Sequence, residues 1–260
     1  MKKYLLTLLV AATTIILVGC TTNNPKEKST EKQLKTGIQN VIEYKSNGKA
    51  VKDKSVLGDN VLIFSPKDDV SDIQKKLDEI YNIQERNQFG DERYAIAFMP
   101  GDYGKSLQVN VGYYTQVLGL GVLPTDTNIN KLWVDASWMN HNATCNFWRG
   151  AENFSINEYC MWANSQAVSL RRINSEDGIV LSDGEGWSSG GFMADSKFNG
   201  NVSSGSQQQY LCRNDEWNYW EGGVWNMVFT GVRTSIIPQG PWPYVPYTRV
   251  EKTPEIQDRK

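Results

Sequence analysis

The segment YAIAFMPGDYGKSLQVNVGYYTQVLGLG, from Tyr94 to Gly121, carries the strongest indication of the fold in this chain. It begins with an apolar, β-prone run over residues 94–99, which Pro100 to Tyr103 interrupts. Alternating apolar and polar residues follow at 107–111, and a second apolar run at 116–121 ends in Leu-Gly-Leu-Gly. Short β-prone runs that are separated by proline and glycine predict three strands, with the Pro-Gly-Asp-Tyr stretch as a breaker.

An amphipathic helix is predicted directly before this segment. Ile73, Leu77 and Ile80 recur at helical spacing, and Asp69 and Ser71 stand where a capping residue begins a helix. We therefore predict a helix over residues 71–84, after an isolated strand at residues 62–66. The apolar stripe of this helix must cover another part of the domain.

The chain after Lys131 predicts short strands and no second helix. The segments begin roughly 15 to 30 residues apart, a spacing typical of a solenoid whose coils can carry ladders of Asn and Gln. They cover residues 132–136, 146–156, 162–173, 190–198, 207–214 and 225–232. A β-sandwich is the alternative, and the scarcity of hairpin turns argues against it. The proline-rich stretch from Ile237 to Lys260 is predicted to run outside the stack, because proline donates no backbone hydrogen bond.

Several motifs resemble those of right-handed parallel β-helix proteins. The start of the domain resembles that of pectin-lyase-like proteins and of family 55 glycoside hydrolases. It has a helix, then a strand that ends in Pro-Gly-x-Tyr, then a strand that ends in Leu-Gly-x-Gly. NFWRGAENFS, WANSQAVSLRRI and SSGGFMADSKFNG further resemble a family of large secreted microbial proteins that automatic naming has called "adenylyl cyclase" or "coagulation factor 5/8 type domain protein". The resemblance covers about Val61 to Thr253 and implies an all-β, right-handed, single-stranded parallel β-helix with an N-terminal capping α-helix.

The resemblance implies a β-helix domain over residues 37–253 and a charged tail over residues 254–260. It implies an extracellular protein and no particular activity. The chain has neither the phosphate-binding glycine loop nor the two-metal carboxylate pattern that would support a cyclase. Chains of that family continue beyond the equivalent of Thr253, so a truncated domain is an alternative.

The N-terminus has the form of an export signal. Lys2 and Lys3 precede a mainly apolar run over residues 4–18, which is shorter than the about 20 residues of a membrane span. Leu-Val-Gly-Cys at 17–20 resembles the bacterial lipobox, so we predict a signal peptide over residues 1–19 and a lipid, such as palmitate, on Cys20. Residues 20–36 are polar and predict a flexible tether. The protein is therefore expected on the extracytoplasmic face of the cell membrane, held by that lipid.

Composition argues against several classes of site. The chain has 27 Lys and Arg against 29 Asp and Glu, so no basic surface for nucleic acid is predicted. His141 is the single histidine and no Cys/His group has metal spacing, so neither a metal site nor a cofactor is predicted. Cys145, Cys160 and Cys212 allow at most one internal disulfide, with Cys145–Cys160 as the nearest pair and buried free thiols as the alternative.

Glu152 and Asp195 are the predicted catalytic pair. Cleavage of a glycosidic bond needs two carboxyl groups, about 5 Å apart for retention or 6.5–9.5 Å apart for inversion. Both residues lie in predicted strands. The alternative is that each carboxylate pairs with Arg149, Arg172 or Arg213 in a structural network. The predicted substrate-binding residues are those that could stack on a sugar or grip its polar groups: Trp148, Arg149, Trp162, Arg172 and Arg213.

These patterns predict a surface protein that acts on an extracellular polysaccharide, as a glycoside hydrolase or as a lyase. The prediction rests on the fold and on a tryptophan-rich, polar composition. A non-catalytic glycan-binding or adhesive protein is the second hypothesis, and an inert fragment of a longer enzyme is the third. The expected partners are a glycan and, through the lipid on Cys20, a membrane.

Overall fold

The structure is a computed structural model, and it describes residues 57–233, 237 and 240–255. The predicted signal peptide, Cys20 and the tether lie outside these residues. The described chain is a right-handed parallel β-helix with one α-helix at its N-terminal end, which confirms the predicted fold class. None of the helices in this part of the chain has the length and apolarity that a membrane span requires.

Short strands build the coils, and every pair of neighbouring strands is parallel. In chain order they are β1 (Val61–Phe64), β2 (Tyr94–Phe98), β3 (Gly101–Asp102), β4 (Gln108–Asn110), β5 (Thr115–Gly119), β6 (Thr127–Ile129), β7 (Lys131–Val134), β8 (Arg149–Ile156), β9 (Cys160–Trp162), β10 (Val168–Ser175), β11 (Ile179–Val180), β12 (Phe192–Ala194), β13 (Lys197–Phe198), β14 (Val202–Ser203), β15 (Gln209–Arg213), β16 (Trp220–Glu221), β17 (Asn226–Thr230) and β18 (Tyr247–Val250). The helix α1 spans Val70–Gln84, between β1 and β2.

The strands form three walls around the coil axis. Wall A contains β1, β2, β5, the first half of β8, the first half of β10, β12, β15, β17 and β18. Wall B contains β3, β6, the second halves of β8 and β10, and β13, because both long strands bend and pair on two walls. Wall C is the separate 6-stranded sheet of β4, β7, β9, β11, β14 and β16.

The core lies inside the coils, and the register between strands decides which side chains form it. Side chains alternate between the two faces of a strand, so every second residue of a wall points inward and stacks on its equivalent in the next coil. On wall A this inward row is Leu62, Ile96, Val117, Ala151, Leu170, Met193, Cys212 and Phe229, all of them buried. Trp217 and Trp220 fill the space between the walls in the later coils, within 5.5 Å and 4.9 Å of the Phe229 ring.

The corner between walls A and B is made by one left-handed residue in each of five successive coils, from β8 to β17. Five residues that share one register position have φ between 51° and 67°. They are Asn153, Arg172, Asp195, Asn214 and Gly231, which we call the corner series. Non-glycine residues rarely adopt this conformation, and asparagine and aspartate tolerate it best. The series explains part of the Asn-rich composition, and the Asn153 amide bonds to the backbone oxygens of the preceding coil instead of stacking on another amide.

The helix α1 caps the first coil, as predicted. The Asp69 side chain accepts a hydrogen bond from the Ser71 N–H, which fixes the helix start one residue before the predicted bound. Ile73, Leu77 and Ile80 are buried in the core. The Gln74 amide both donates to and accepts from the Gln108 backbone at 2.9 Å, so it takes the place of a neighbouring strand at the open edge of wall C.

The structure corrects three predicted segments. The prediction that the C-terminal stretch lies outside the stack is wrong, because β18 pairs with β17 in register; its four residues fall in a proline-free interval. The predicted breaker at Pro100 to Tyr103 contains β3, which pairs with β6. The segment predicted at 162–173 is two strands on different walls, since a corner separates β9 from β10.

Candidate active site on wall A

The predicted catalytic carboxylates lie on the outer side of wall A, and each contacts an arginine. Glu152 Oε1 lies 3.7 Å from Arg171 Nη1 in the next coil. Asp195 Oδ2 lies 3.2 Å from Arg213 Nη2, and Asp195 Oδ1 accepts a hydrogen bond from the Asn214 amide at 2.9 Å. The pair of Asp195 with Arg213 agrees with the structural alternative, whereas Glu152 contacts Arg171, which is not one of the three arginines named there.

Register fixes how far apart these carboxylates are. Glu152 pairs with Arg171, which pairs with Ala194, and Asp195 follows Ala194. Two coil spacings of about 4.8 Å therefore separate the backbones of the two acids, or roughly 10 Å. In an inverting pair the two carboxyl groups are about 6.5–9.5 Å apart, a separation that side chains on backbones two coils apart can reach by leaning toward each other. The catalytic assignment of Glu152 and Asp195 stays a prediction.

Two of the predicted substrate-binding residues are inside the protein. Arg149 is buried, donates to Val111 O and to Asn146 Oδ1, and has its guanidinium 4.6 Å from the Tyr113 ring centroid. Burial lowers the pKa of Arg149 to about 10. Trp162 is buried on the inner side of wall C. A ligand on the outer surface reaches neither side chain, so the prediction that they contact a glycan is wrong.

Arg172 and Arg213 are at the surface, at the corner that carries Asp195. The Arg172 Nε donates to Asn153 Oδ1 at 3.1 Å, and its Nη2 donates to Val122 O at 2.8 Å. These two bonds hold the loop after β5 against the corner. Arg213 also lies 5.8 Å from the Phe192 ring centroid. Both arginines thus have neighbours in adjacent coils, and both remain accessible to a ligand on wall A.

Trp148 is exposed and belongs to a stack of side chains that the sequence did not predict. Arg93, Tyr114 and Trp148 directly precede the wall A strands of three successive coils, and we call them the aromatic column. The Arg93 guanidinium lies 3.5 Å from the Tyr114 ring centroid. The Tyr114 and Trp148 rings are 6.3 Å apart at an angle of 20°. The column therefore holds Trp148 with one indole face against Tyr114.

A shallow groove of about 480 Å³ runs beside the aromatic column, along the coil axis. Its lining includes Val61, Ala95, Gln116 and Ala167, in addition to the column itself. Tyr114 and Trp148 have φ of 52° and 55°, an unusual conformation for aromatic residues. Such backbone strain is found most often at functional sites. Exposed rings beside polar groups in a groove are suited to an extended ligand with both apolar and polar faces.

The remaining candidate groups of the described residues are three cysteines and His141. Cys145, Cys160 and Cys212 are free thiols, and burial raises the pKa of both Cys160 and Cys212. His141 Nδ1 lies 3.0 Å from Asp183 Oδ2, which also accepts a hydrogen bond from the Ala136 N–H. Across residues 57–233 and 240–255, no three His, Cys, Asp or Glu side chains form a set of metal ligands.

A buried carboxylate, Asp215, lies beneath the corner series. Its Oδ1 accepts a hydrogen bond from Ser196 N at 2.8 Å, and its Oδ2 accepts one from Arg213 N at 3.0 Å. Burial raises the pKa of Asp215 well above its usual value, against the lowering effect of the two N–H donors. Asp215 thus helps to hold the backbone of Arg213 and Asn214, next to Asp195.

Asp215 should make the stability of the domain depend on pH. Its pKa is raised in the folded state, so its contribution is fully present below pH 4 and is lost as the pH rises through the folded pKa. Relative to Asp215→Asn, the wild-type protein should lose about 1 kcal/mol or more of unfolding free energy between pH 4 and pH 7. Urea denaturation at both values measures the difference; parallel pH profiles for the two proteins would contradict the assignment. The substitution also removes one backbone acceptor, but that cost does not change with pH.

Comparison with known proteins identifies a relative that aligns with most of this chain. No family model matches the chain. An exo-β-1,3-glucanase of Streptomyces sp. (strain SirexAA-E / ActE) is 46% identical over 208 residues, which are 78% of this chain and 34% of the glucanase. The chain is homologous to a part of that glucanase. It spans about a third of the length of this relative.

Two solved structures of sacteLam55A from Streptomyces sp. SirexAA-E share the fold. The first is 46% identical, with a TM-score of 0.72 over 76% of this chain and 36% of that chain. The second, a variant in complex with glucose, is 44% identical, with a TM-score of 0.72 over 81% of this chain and 38% of that chain. The homology and the solenoid agree with the pectin-lyase-like architecture that the motifs implied.

Proposed function

We propose that this chain is the β-helix of a glycoside hydrolase that acts on β-1,3-linked glucan, and that wall A contacts the glucan. The observation that carries the proposal is the homology to the exo-β-1,3-glucanase, at 46% identity over 208 residues. The aromatic column supports it, because it presents an exposed indole beside a groove that crosses several coils. The glucose complex of the related structure supports a glucose-based ligand.

The charges of wall A favour a neutral glycan over a uronate. An acidic sugar would need arginines that are free to grip its carboxylate. Arg171 and Arg213 each lie against a carboxylate of the same wall, so their charges are compensated, and Arg172 is already held by two neutral oxygen atoms at the corner. A hydrolase is therefore favoured over a lyase, whose chemistry requires an acidic substrate.

Product analysis tests this proposal. The full-length protein is incubated with β-1,3-glucan, β-1,4-glucan and polygalacturonate, and chromatography detects released sugars and unsaturated products. We expect glucose or short glucans from the β-1,3-glucan. Unsaturated products from polygalacturonate would contradict the proposal and favour a lyase.

Binding without hydrolysis is the second candidate function. The two ion pairs favour it, because each carboxylate is already engaged by an arginine of the same wall and not by a group of the substrate. Retention on immobilised β-1,3-glucan without any released sugar would support this candidate.

We further propose that a lipid on Cys20 holds the protein at the cell membrane. The support is the lipobox-like sequence at residues 17–20, behind an apolar run. Cys20→Ala should move the protein from the membrane fraction to the medium and abolish labelling by an alkyne palmitate analogue. Thr21→Ala, next to it, is the control. Unchanged membrane retention of Cys20→Ala would contradict the proposal.

A further inference from the structure

The aromatic column ends abruptly after Trp148. Ala167 is the residue of the next coil that lies opposite Trp148, because Val168 pairs with Arg149. Gly190 takes the equivalent position in the coil after that, and Gln209 takes it in the following coil. A large ring is thus followed by a methyl group and then by a hydrogen atom. The indole face that points away from Tyr114 is left without a partner from the column, and Trp148 is 52% exposed.

This change in side-chain size leaves a slot on wall A over the exposed Ala167, between Trp148 and the Gln209 side chain, which covers the buried Gly190. Successive coils are about 4.8 Å apart, so a ring stacked on the indole lies near the level of Ala167. The exposed Gln209 side chain lies along Gly190, because its Cγ is 3.3 Å from where a Cβ of Gly190 would stand. The slot therefore has an aromatic end, an apolar floor and an amide end.

The slot is held in shape before any ligand arrives. On one side, Arg93 and Tyr114 fix the rear face of Trp148. Trp148 and Ala167 have φ of 55° and 57°, and Gly190 has φ of 122°, so the floor is built on backbone that side chains with a Cβ rarely adopt. A preorganised ring loses little conformational entropy when it binds a ligand. The strain thus coincides with the exposed stacking surface, as is common at functional sites.

We propose that this slot is a sugar subsite that binds one glucosyl ring of a β-1,3-glucan against Trp148, with hydroxyl groups of that ring bonded to the Gln209 amide. The inference rests on the proposed function. It adds the position of one sugar ring and the residues that contact it, Trp148, Ala167 and Gln209. A β-glucopyranose ring carries its substituents equatorially, so both ring faces present C–H groups to an aromatic surface. An axial hydroxyl, as in mannose, would make one face polar.

Calorimetric titration of the full-length protein with β-1,3-glucohexaose tests the slot. Ala167→Leu fills the floor, and Trp148→Gly removes the stacking surface while it relieves the positive φ; each should raise Kd at least tenfold. Ala167→Gly keeps the floor open at a φ that glycine adopts freely, so its Kd should stay within twofold of wild type. Tyr159→Ala, which removes an exposed ring beside wall C, should also leave Kd unchanged. Circular dichroism confirms that each variant is folded.

The outcomes separate the slot from the proposed function. Wild-type affinity in a folded Ala167→Leu variant would overturn the slot and leave the glucan assignment intact. Equal affinity of the wild-type protein for a β-1,4-mannohexaose would overturn stacking of a glucosyl face on Trp148. If the wild-type protein does not bind β-1,3-glucohexaose, both the slot and the proposed function are wrong.

Discussion

Trp220→Ala is expected to lower the free energy of unfolding by about 3–5 kcal/mol. The indole is fully buried on the inner side of wall C, and it reaches across the coil to wall A. Its ring lies 4.9 Å from Phe229 and 5.1 Å from Trp217, and its N–H donates to Gly222 O. Removal of the indole leaves a cavity between walls whose backbone is fixed by parallel pairing, so the site cannot collapse.

Urea denaturation followed by far-UV circular dichroism measures this effect. Trp225→Ala is the matched control, because Trp225 is only five residues away and is exposed. It should change the unfolding free energy by about 0.5 kcal/mol or less. Equal losses in the two variants would contradict the inward register of wall C.

Glu152→Gln and Asp195→Asn should each lower the rate of glucan hydrolysis by about 10²–10⁴-fold, the usual contribution of a general acid or base. Each substitution keeps the size of the side chain and removes its negative charge and its ability to exchange a proton. The physical reason is that an inverting mechanism needs one acid and one base across the bond. Initial rates of glucose release at saturating β-1,3-glucan measure the effect.

Glu158→Gln is the control for this pair, because Glu158 is an exposed carboxylate at the corner after β8. Its rate should match that of the wild-type protein. Wild-type rates in both Glu152→Gln and Asp195→Asn would show that the two carboxylates only form ion pairs with Arg171 and Arg213. In that case the substitutions would change stability by about 0–1 kcal/mol, as partly exposed ion pairs do.

The fold could be predicted because its local signals are strong. Ile73, Leu77 and Ile80 have a helical period that no strand can use, and proline and glycine mark the ends of the first strands. The coil boundaries were harder to find. Cys160–Trp162 and Val168–Ser175 are separated by a short corner without a strong breaker, so they read as one segment.

The candidate site could be predicted only in part, because it depends on register. Trp148 and Arg149 are neighbours in sequence, but alternation places them on opposite sides of the wall, one exposed and one buried. A shift of the strand register by one residue would bury Trp148 and expose Arg149. Tyr114 stacks on Trp148 although it lies 34 residues earlier in the sequence. This contact can be predicted only when the number of residues in that coil is known. The alternative that arginines pair with the carboxylates named Arg213 but not Arg171, because the choice of partner again depends on register.

A crystal structure of the full-length protein with β-1,3-glucotetraose tests most directly whether wall A binds glucan. We expect the sugar along the groove beside the aromatic column, with one ring parallel to the Trp148 indole and over Ala167. Sugar bound on wall C or at an end of the coil stack, with no contact to Trp148, would contradict glucan binding on wall A.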